Sequence, residues 1–230
     1  MYHSVGRNPA FFTVQPVEFE KQILFLKKKN YNVVFLSELL NYLKSGNIPD
    51  KTVAITFDDG YQDNYDNVFP IIKKYKLSIS IFLVTGKIGQ SMTNSENINL
   101  PILNKNQTIE MFQSGLVEFL PHTHTHRKLS TLSLEEASRD IEQSFSHLDS
   151  ILPGINKILA YPKGDVTNVI TDYLKTSGWL GAVSTGYGLV NLNSNHFLLS
   201  RNSIDSFTDF IQFKGKLSEA IETYNKIKHV

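Results

Sequence analysis

Apolar and polar positions along this chain follow two periods that take turns. From Gln15 to Lys29, Phe19, Ile23 and Leu26 recur at helical spacing with Lys and Glu between them, which predicts an amphipathic helix. Tyr31 to Leu36 reads as a strand, and Ser37 opens a short helix that ends near Ser45-Gly46. Val53-Ala54-Ile55-Thr56-Phe57 is a compact apolar strand, stopped by Asp58-Asp59-Gly60. A helix over Val68 to Tyr75 leads into a second buried strand, Ile79 to Val84. Strand, helix and strand in this order predict a parallel sheet with crossover helices.

Between Gly86 and Gln107 the pattern breaks down into Asn, Ser, Lys and Gly, a connection long enough to read as a functional lid or wall. A helix around Thr108 to Ser114 ends at Gly115, and the strand Val117 to Leu120 runs into Pro121-His122-Thr123-His124-Thr125-His126. Ser133-Leu134-Glu135-Glu136 has capping-box spacing, and Ile141, Phe145 and Leu148 continue that helix's apolar stripe. The strand Ile158 to Tyr161, the helix Val169 to Ser177, the strands Gly181 to Ser184 and Phe197 to Ile204, and a helix from Phe207 complete the pattern. No internal repeat or linker interrupts it, so one α/β domain over residues 1–230 is expected.

Composition narrows the chemistry. The 230 residues, 41% of them hydrophobic, suffice for a folded core without staples. A net charge of +1, from 23 Lys and Arg against 22 Asp and Glu, argues against nucleic acid as a partner. Zero cysteine excludes thiolate catalysis, disulfides, zinc fingers and iron–sulfur clusters, so any metal falls to His, Asp and Glu. No run approaches the ~20 apolar residues of a transmembrane helix. Met1 to Arg7 lacks the features of a signal peptide, yet the chain opens almost inside a strand, so a mature or trimmed form is expected and the compartment stays open.

In parallel α/β folds, ligands gather beyond the carboxyl ends of strands. Three polar clusters fall there: Asp58-Asp59-Gly60, His122 to His126, and Pro162-Lys163-Gly164-Asp165. The first alone also reads as a turn, since Asp and Gly favour turns on backbone grounds. Three alternate histidines after a buried strand point more firmly to a metal. Together the clusters offer two histidines and a carboxylate, with a second carboxylate to accept a proton from metal-bound water.

Thr56-Phe57-Asp58-Asp59-Gly60 followed by His122-Thr123-x-x-His126 resembles the polysaccharide deacetylases, carbohydrate esterase family 4. The likeness extends to Phe19-Glu20-Lys21-Gln22, Ser114-Gly115-Leu116-Val117-Glu118 and Leu129-Ser130-x-Leu132-Ser133, and so covers nearly the whole chain. It implies a distorted (β/α)7-type barrel and metal-dependent removal of acetyl groups from N-acetylated sugars. Residue by residue, it makes Asp58 the general base, and Asp59, His122 and His126 the metal ligands. Thr123 matches the hydroxyl that holds the loop, His124 a variable position lining the pocket, and Tyr161-Pro162-Lys163-Gly164 the motif that aims a backbone N–H, that of Lys163, at the oxyanion. Zinc is the expected metal, with cobalt or nickel also suited to these donors.

Two departures stand out. Ala160 occupies the position of an arginine that positions the catalytic aspartate, and Arg201 is the candidate substitute. No late Leu-x-His strand end supplies the general acid. Met1-Tyr2-His3 instead resembles the opening of a permuted subgroup, the poly-N-acetylglucosamine deacetylases of biofilm export, in which the equivalent strand comes first and closes the barrel beside the last one. His3 is then the general acid, and the resemblance implies export or peripheral association with the cell envelope. Tyr61 and Tyr65 are placed to line a groove, and Trp179 to pack in the core. A non-catalytic carbohydrate-binding relative and an amide hydrolase acting on a non-polymeric substrate remain as alternatives.

Overall fold

The apolar runs do become parallel strands, and the helical stripes cover them. The computed structural model describes residues 1–218; residues 219–230 of the expected domain lie outside the described residues. In chain order the elements are β1 (Ser4–Val5), β2 (Thr13–Val14), α1 (Pro16–Lys28), β3 (Asn32–Val34), α2 (Leu36–Ser45), β4 (Thr52–Ala54), β5 (Thr56–Phe57), α3 (Phe69–Tyr75) and β6 (Ile79–Leu83). There follow β7 (Ser91–Thr93), β8 (Asn99–Pro101), α4 (Lys105–Gln113), β9 (Val117–Pro121), α5 (Leu134–Ile151), β10 (Ile158–Ala160), α6 (Asn168–Thr176), β11 (Gly181–Val183) and α7 (Phe210–Gly215).

Among the described residues every strand-to-strand pairing except β7-β8 is parallel, as crossover helices require. Among the described residues the largest sheet is the three-stranded β5-β6-β9, and β3-β4, β1-β2 and β10-β11 form separate two-stranded pairs. Phe57 lies opposite Ile81, and β6 runs beside β9 from Ile79↔Val117 to Leu83↔Pro121. Phe57, the end of β5, is thus level with Phe119, so Asp58 and Asp59 run beside the last residues of β9, which brings the two main motifs together. These strands do not form one closed sheet among the described residues, so the structure gives parallel α/β order without the expected closed barrel.

The helices form for the expected reasons. Ser133 Oγ accepts from Glu136 N, and Glu136 Oε2 accepts from Ser133 N, a reciprocal cap worth about 1 kcal/mol. Gly46 ends α2 in the left-handed region at φ 72°. Tyr2 and Phe57 stack at 5.2 Å between ring centres and meet Phe19 of α1, joining the N-terminal segment to β5 in the main apolar cluster.

Three expectations are corrected. Residues 86–107 are not an irregular loop: β7 and β8 form an antiparallel hairpin, and α4 starts at Lys105, capped by Asn104. Its short arms hold one apolar side chain each, Met92 and Leu100, too few for a visible period. The run from Phe197 to Ile204 is not a regular strand. It meets β11 only through the isolated bridge Val183↔Leu199, because Arg201 N turns aside to donate to Gly186 O. The last helix begins at Phe210, capped by Asp209, and not at Phe207.

Candidate active site

The first motif is shaped by its backbone. Asp59 and Gly60 both lie at positive φ, 70° and 77°. The glycine is required: a Cβ there would sit 2.2 Å from Leu83 Cδ1. This turn swings Asp58 and Asp59 to different partners although they are neighbours in sequence. Asp59 and three further non-glycine residues at positive φ, Thr123, His126 and Lys163, all belong to the predicted motifs. Backbone strain of this kind costs on the order of 1–3 kcal/mol per residue and gathers at functional sites.

Asp59, His122 and His126 converge, each offering a ligand atom within 4.8 Å of the others. His122 Nε2 and His126 Nε2 lie 3.5 and 3.3 Å from Asp59 Oδ1. That oxygen is buried without a hydrogen-bond partner, a costly arrangement for a carboxylate. His122 Nδ1 lies 2.8 Å from Ala160 O. A carbonyl only accepts, so Nδ1 carries the proton and Nε2 presents its lone pair. Burial pulls the His122 imidazole down to about 4, against the nearby charge of Asp58, which raises it. An unpartnered carboxylate oxygen facing imidazole lone pairs fits a divalent cation, and the set suits zinc-type coordination with an open position. Thr123, fully buried, holds the loop by accepting from His126 N through Oγ1 at 3.1 Å.

Asp58 turns the other way. Arg201 donates Nη1 to Oδ1 at 2.6 Å and Nη2 to Oδ2 at 2.7 Å, a two-pronged pair between side chains that are almost wholly buried. Nε of the same guanidinium donates to Ser184 O, Nη1 also to Thr56 Oγ1, and the group lies over the Phe82 ring. Burial alone would push the Asp58 carboxyl up, but the Arg201 charge and hydrogen bonds outweigh it and hold the group well below the ordinary carboxylate range.

His3 stands beside Asp58. Tyr2 bridges to Phe57, and Tyr2 O accepts from Asp58 N at 2.9 Å. Since Tyr2 and Phe57 stack on one face, strand alternation sends His3 and Asp58 to the other. The His3 ring packs on Phe12, and its carbonyl accepts from Asn64 Nδ2. Lys163 lies exposed in a tight turn after Ala160, at φ 60°.

Other expected positions turn out differently. Tyr61 does not line a groove: it is 1% exposed and stacked on Phe12. Burial, then the Asp59 carboxylate, pushes its phenol far up. Tyr65 is tied to Glu110 through its hydroxyl. Tyr161 is a core residue whose hydroxyl donates to Phe197 O, so it supports the loop from beneath and has no free face for a ligand. His124 does not reach the triad; it shares a hydrogen bond with Thr85 Oγ1 and faces His147 of α5. Trp179 packs in the core as expected and donates to Glu142.

The polysaccharide deacetylase family model matches residues 45–180, which hold both main motifs and the turn at Lys163. The poly-beta-1,6-N-acetyl-D-glucosamine N-deacetylase of Staphylococcus aureus (strain COL) is 32% identical over 96% of this chain and 78% of its own length. This chain belongs to the polysaccharide deacetylase family. It is an enzyme of that family's kind, a hydrolase that removes N-acetyl groups from a polysaccharide. A Staphylococcus epidermidis enzyme of the same name is 36% identical over 73% of the chain and 59% of its own length. Two solved structures share the fold. Streptococcus pyogenes deacetylase PplD matches with a TM-score of 0.83 at 24% identity, over 95% of this chain and 96% of that one. IcaB from Ammonifex degensii matches with a TM-score of 0.81 at 23% identity, over 94% and 95%.

Two contributors carried no sequence signal. Phe82 reads as ordinary core, and only its place opposite the end of β5 puts it beneath Arg201. Asn64 is buried at the start of a π-helical turn over Asn64–Val68, and only the fold brings it to the His3 carbonyl.

Proposed function

We propose that this deacetylase hydrolyses the N-acetyl groups of a β-1,6-linked N-acetylglucosamine polymer. The observation that carries the reading is the division of labour between neighbouring carboxylates: Asp59 faces two histidines, and Asp58 is held apart by Arg201. The 32% identity with the staphylococcal enzyme over nearly the whole chain supports the substrate.

Asp59, His122 and His126 would hold a divalent ion, zinc before cobalt or nickel. Bound there, the ion supplies Lewis acidity and a water of lowered pKa, toward ~7. Asp58 would act as the proton acceptor, with Arg201 holding its carboxylate ionised and aimed. The Lys163 N–H donates to the oxygen that gains charge, a contribution of roughly 3–4 kcal/mol in comparable sites. His3, beside Asp58, would give a proton to the departing amine, a step worth ~10²–10⁴-fold. Arg201 on Asp58 supports the catalytic reading over a non-catalytic one, because it stands in for the arginine that Ala160 replaces.

The distorted barrel and the single domain over 1–230 belong to this proposal. Met1 O accepts from Ile204 N, while Tyr2 pairs with β5, so the first residues link β5 to the segment that follows β11. A working place at the cell envelope follows from the polymer. Acetate release from β-1,6-linked N-acetylglucosamine oligomers, abolished by chelator, tests the reading; release from a small monomeric amide alone would contradict it.

A further inference from the structure

Two loops carry the proposed chemistry: one after β9 with His122 and His126, the other after β10 with Lys163. No strand pairing joins β9 to β10 among the described residues; β9 pairs with β6, and β10 with β11. The spacing between the loops therefore rests on core packing, with Leu120, Ile158 and Ala160 in one buried cluster, and on side-chain links. One is His122 Nδ1 to Ala160 O. The other lies outside the ligand set. Asp165 accepts from Ser130 N through Oδ2 at 2.8 Å and from Ser130 Oγ through Oδ1 at 2.9 Å. One residue of the turn that follows His126 thus engages both oxygens of a carboxylate two residues past Lys163. On its far side the Lys163 loop is wedged by Gly164, where a Cβ would lie 2.1 Å from Thr185 Oγ1. Leu129, beside Ser130, is already buried with Tyr161. What the carboxylate adds is the placement of one loop against the other.

The geometry points to the Ser130–Asp165 pair as a clamp that sets the distance between the Lys163 N–H and the Asp59-His122-His126 triad, with both as positioning residues. This rests on the deacetylase reading and deepens it. An oxyanion donor acts only within about 2.7–3.1 Å of the developing charge, and a misplacement of ~1 Å can cost ~10²-fold. Its hydrogen bond strengthens as the carbonyl becomes an oxyanion, so the loss falls on kcat and leaves KM in place.

The test uses the full chain loaded with zinc and a β-1,6-linked N-acetylglucosamine oligomer. Asp165→Ala is expected to lower kcat by about 10–100-fold with KM, bound zinc and melting temperature unchanged. Amide hydrogen exchange over residues 161–166 should quicken in the same variant, with or without zinc. Asp165→Asn, which keeps one acceptor, should recover part of the rate. Ser130→Ala added to Asp165→Ala should cost nothing more, because the pair acts as a unit. Wild-type kcat and exchange in Asp165→Ala overturn the clamp, as does a fall in kcat matched by loss of zinc or of melting temperature. If the wild-type protein releases no acetate, the deacetylase reading fails instead, and the exchange measurement still decides the clamp.

Discussion

Asp58 and Arg201 stand 143 residues apart in the chain and meet as a two-pronged ion pair, with donor–acceptor distances of 2.6 and 2.7 Å. The pair gives the carboxylate proposed as base a fixed partner although Ala160 stands where the arginine was expected. A guanidinium entering from a late segment at the edge of β11 reaches the carboxylate that the missing side chain would have met. With both Asp58 oxygens on Arg201, Asp59 is the aspartate that faces the histidines.

Removing Arg201 strands a buried carboxylate. Arg201→Ala should cost about 3–5 kcal/mol at neutral pH in chemical denaturation. The sign follows from Asp58, whose folded pKa lies below its unfolded value. Its stabilising contribution is present above the unfolded value of ~3.9 and is lost as pH falls through the folded one. The gap between wild type and variant should therefore narrow below about pH 4. Arg201→Lys, with one prong, should fall between them. A gap that widens on acidification would contradict the pairing.

His3 should matter for the leaving group alone. His3→Gln is expected to lower kcat on N-acetylated oligomers by ~10²–10⁴-fold with metal content unchanged. An acetate ester with a good leaving group needs no protonation, so its hydrolysis should be nearly unaffected. Equal loss on both substrates would remove His3 from the role of acid.

The triad should bind metal and gain stability from it. Zinc at about 100 times its Kd should raise stability by ~2.7 kcal/mol, read as a shift in melting temperature. His122→Ala should abolish both the shift and turnover. A shift that persists in that variant would place the metal elsewhere.

A second acid, away from the triad, sets a pH trend. Burial pushes Asp63 up to about 6, against its hydrogen bonds from Ser4 and Asn64. Its folded pKa lies above the unfolded one, so stability from its neutral form is full below ~4 and lost as pH rises through about 6. Asp63→Asn should therefore melt higher than wild type at pH 8, with the advantage fading by pH 4. A constant difference across that range would show that Asp63 does not titrate there.

What the chain revealed before folding was what is local. Asp58-Asp59-Gly60 and His122 to His126 are short patterns whose spacing survives folding, and their strands are apolar runs with clear ends. The partner of Asp58 was different. Arg201 came into view only because Ala160 fell where an arginine was expected, and its contacts depend on which segments lie side by side. Tyr61 shows the opposite error: a tyrosine after a catalytic motif suggests a sugar platform, yet stacking on Phe12 buries it. The hairpin of β7 and β8 was hidden because its order comes from a polar turn, in which Asn94 Oδ1 accepts from Glu96 N and Ile98 N.

The separation of base from ligand is tested most directly by acetate release from β-1,6-linked N-acetylglucosamine oligomers, measured beside zinc content for wild type, Asp58→Asn and Asp59→Asn. The wild type should release acetate until chelated. Asp58→Asn should keep its zinc and lose ~10²–10⁴-fold in rate, while Asp59→Asn should lose zinc and rate together. Zinc lost from Asp58→Asn, or full activity retained by it, would contradict the account.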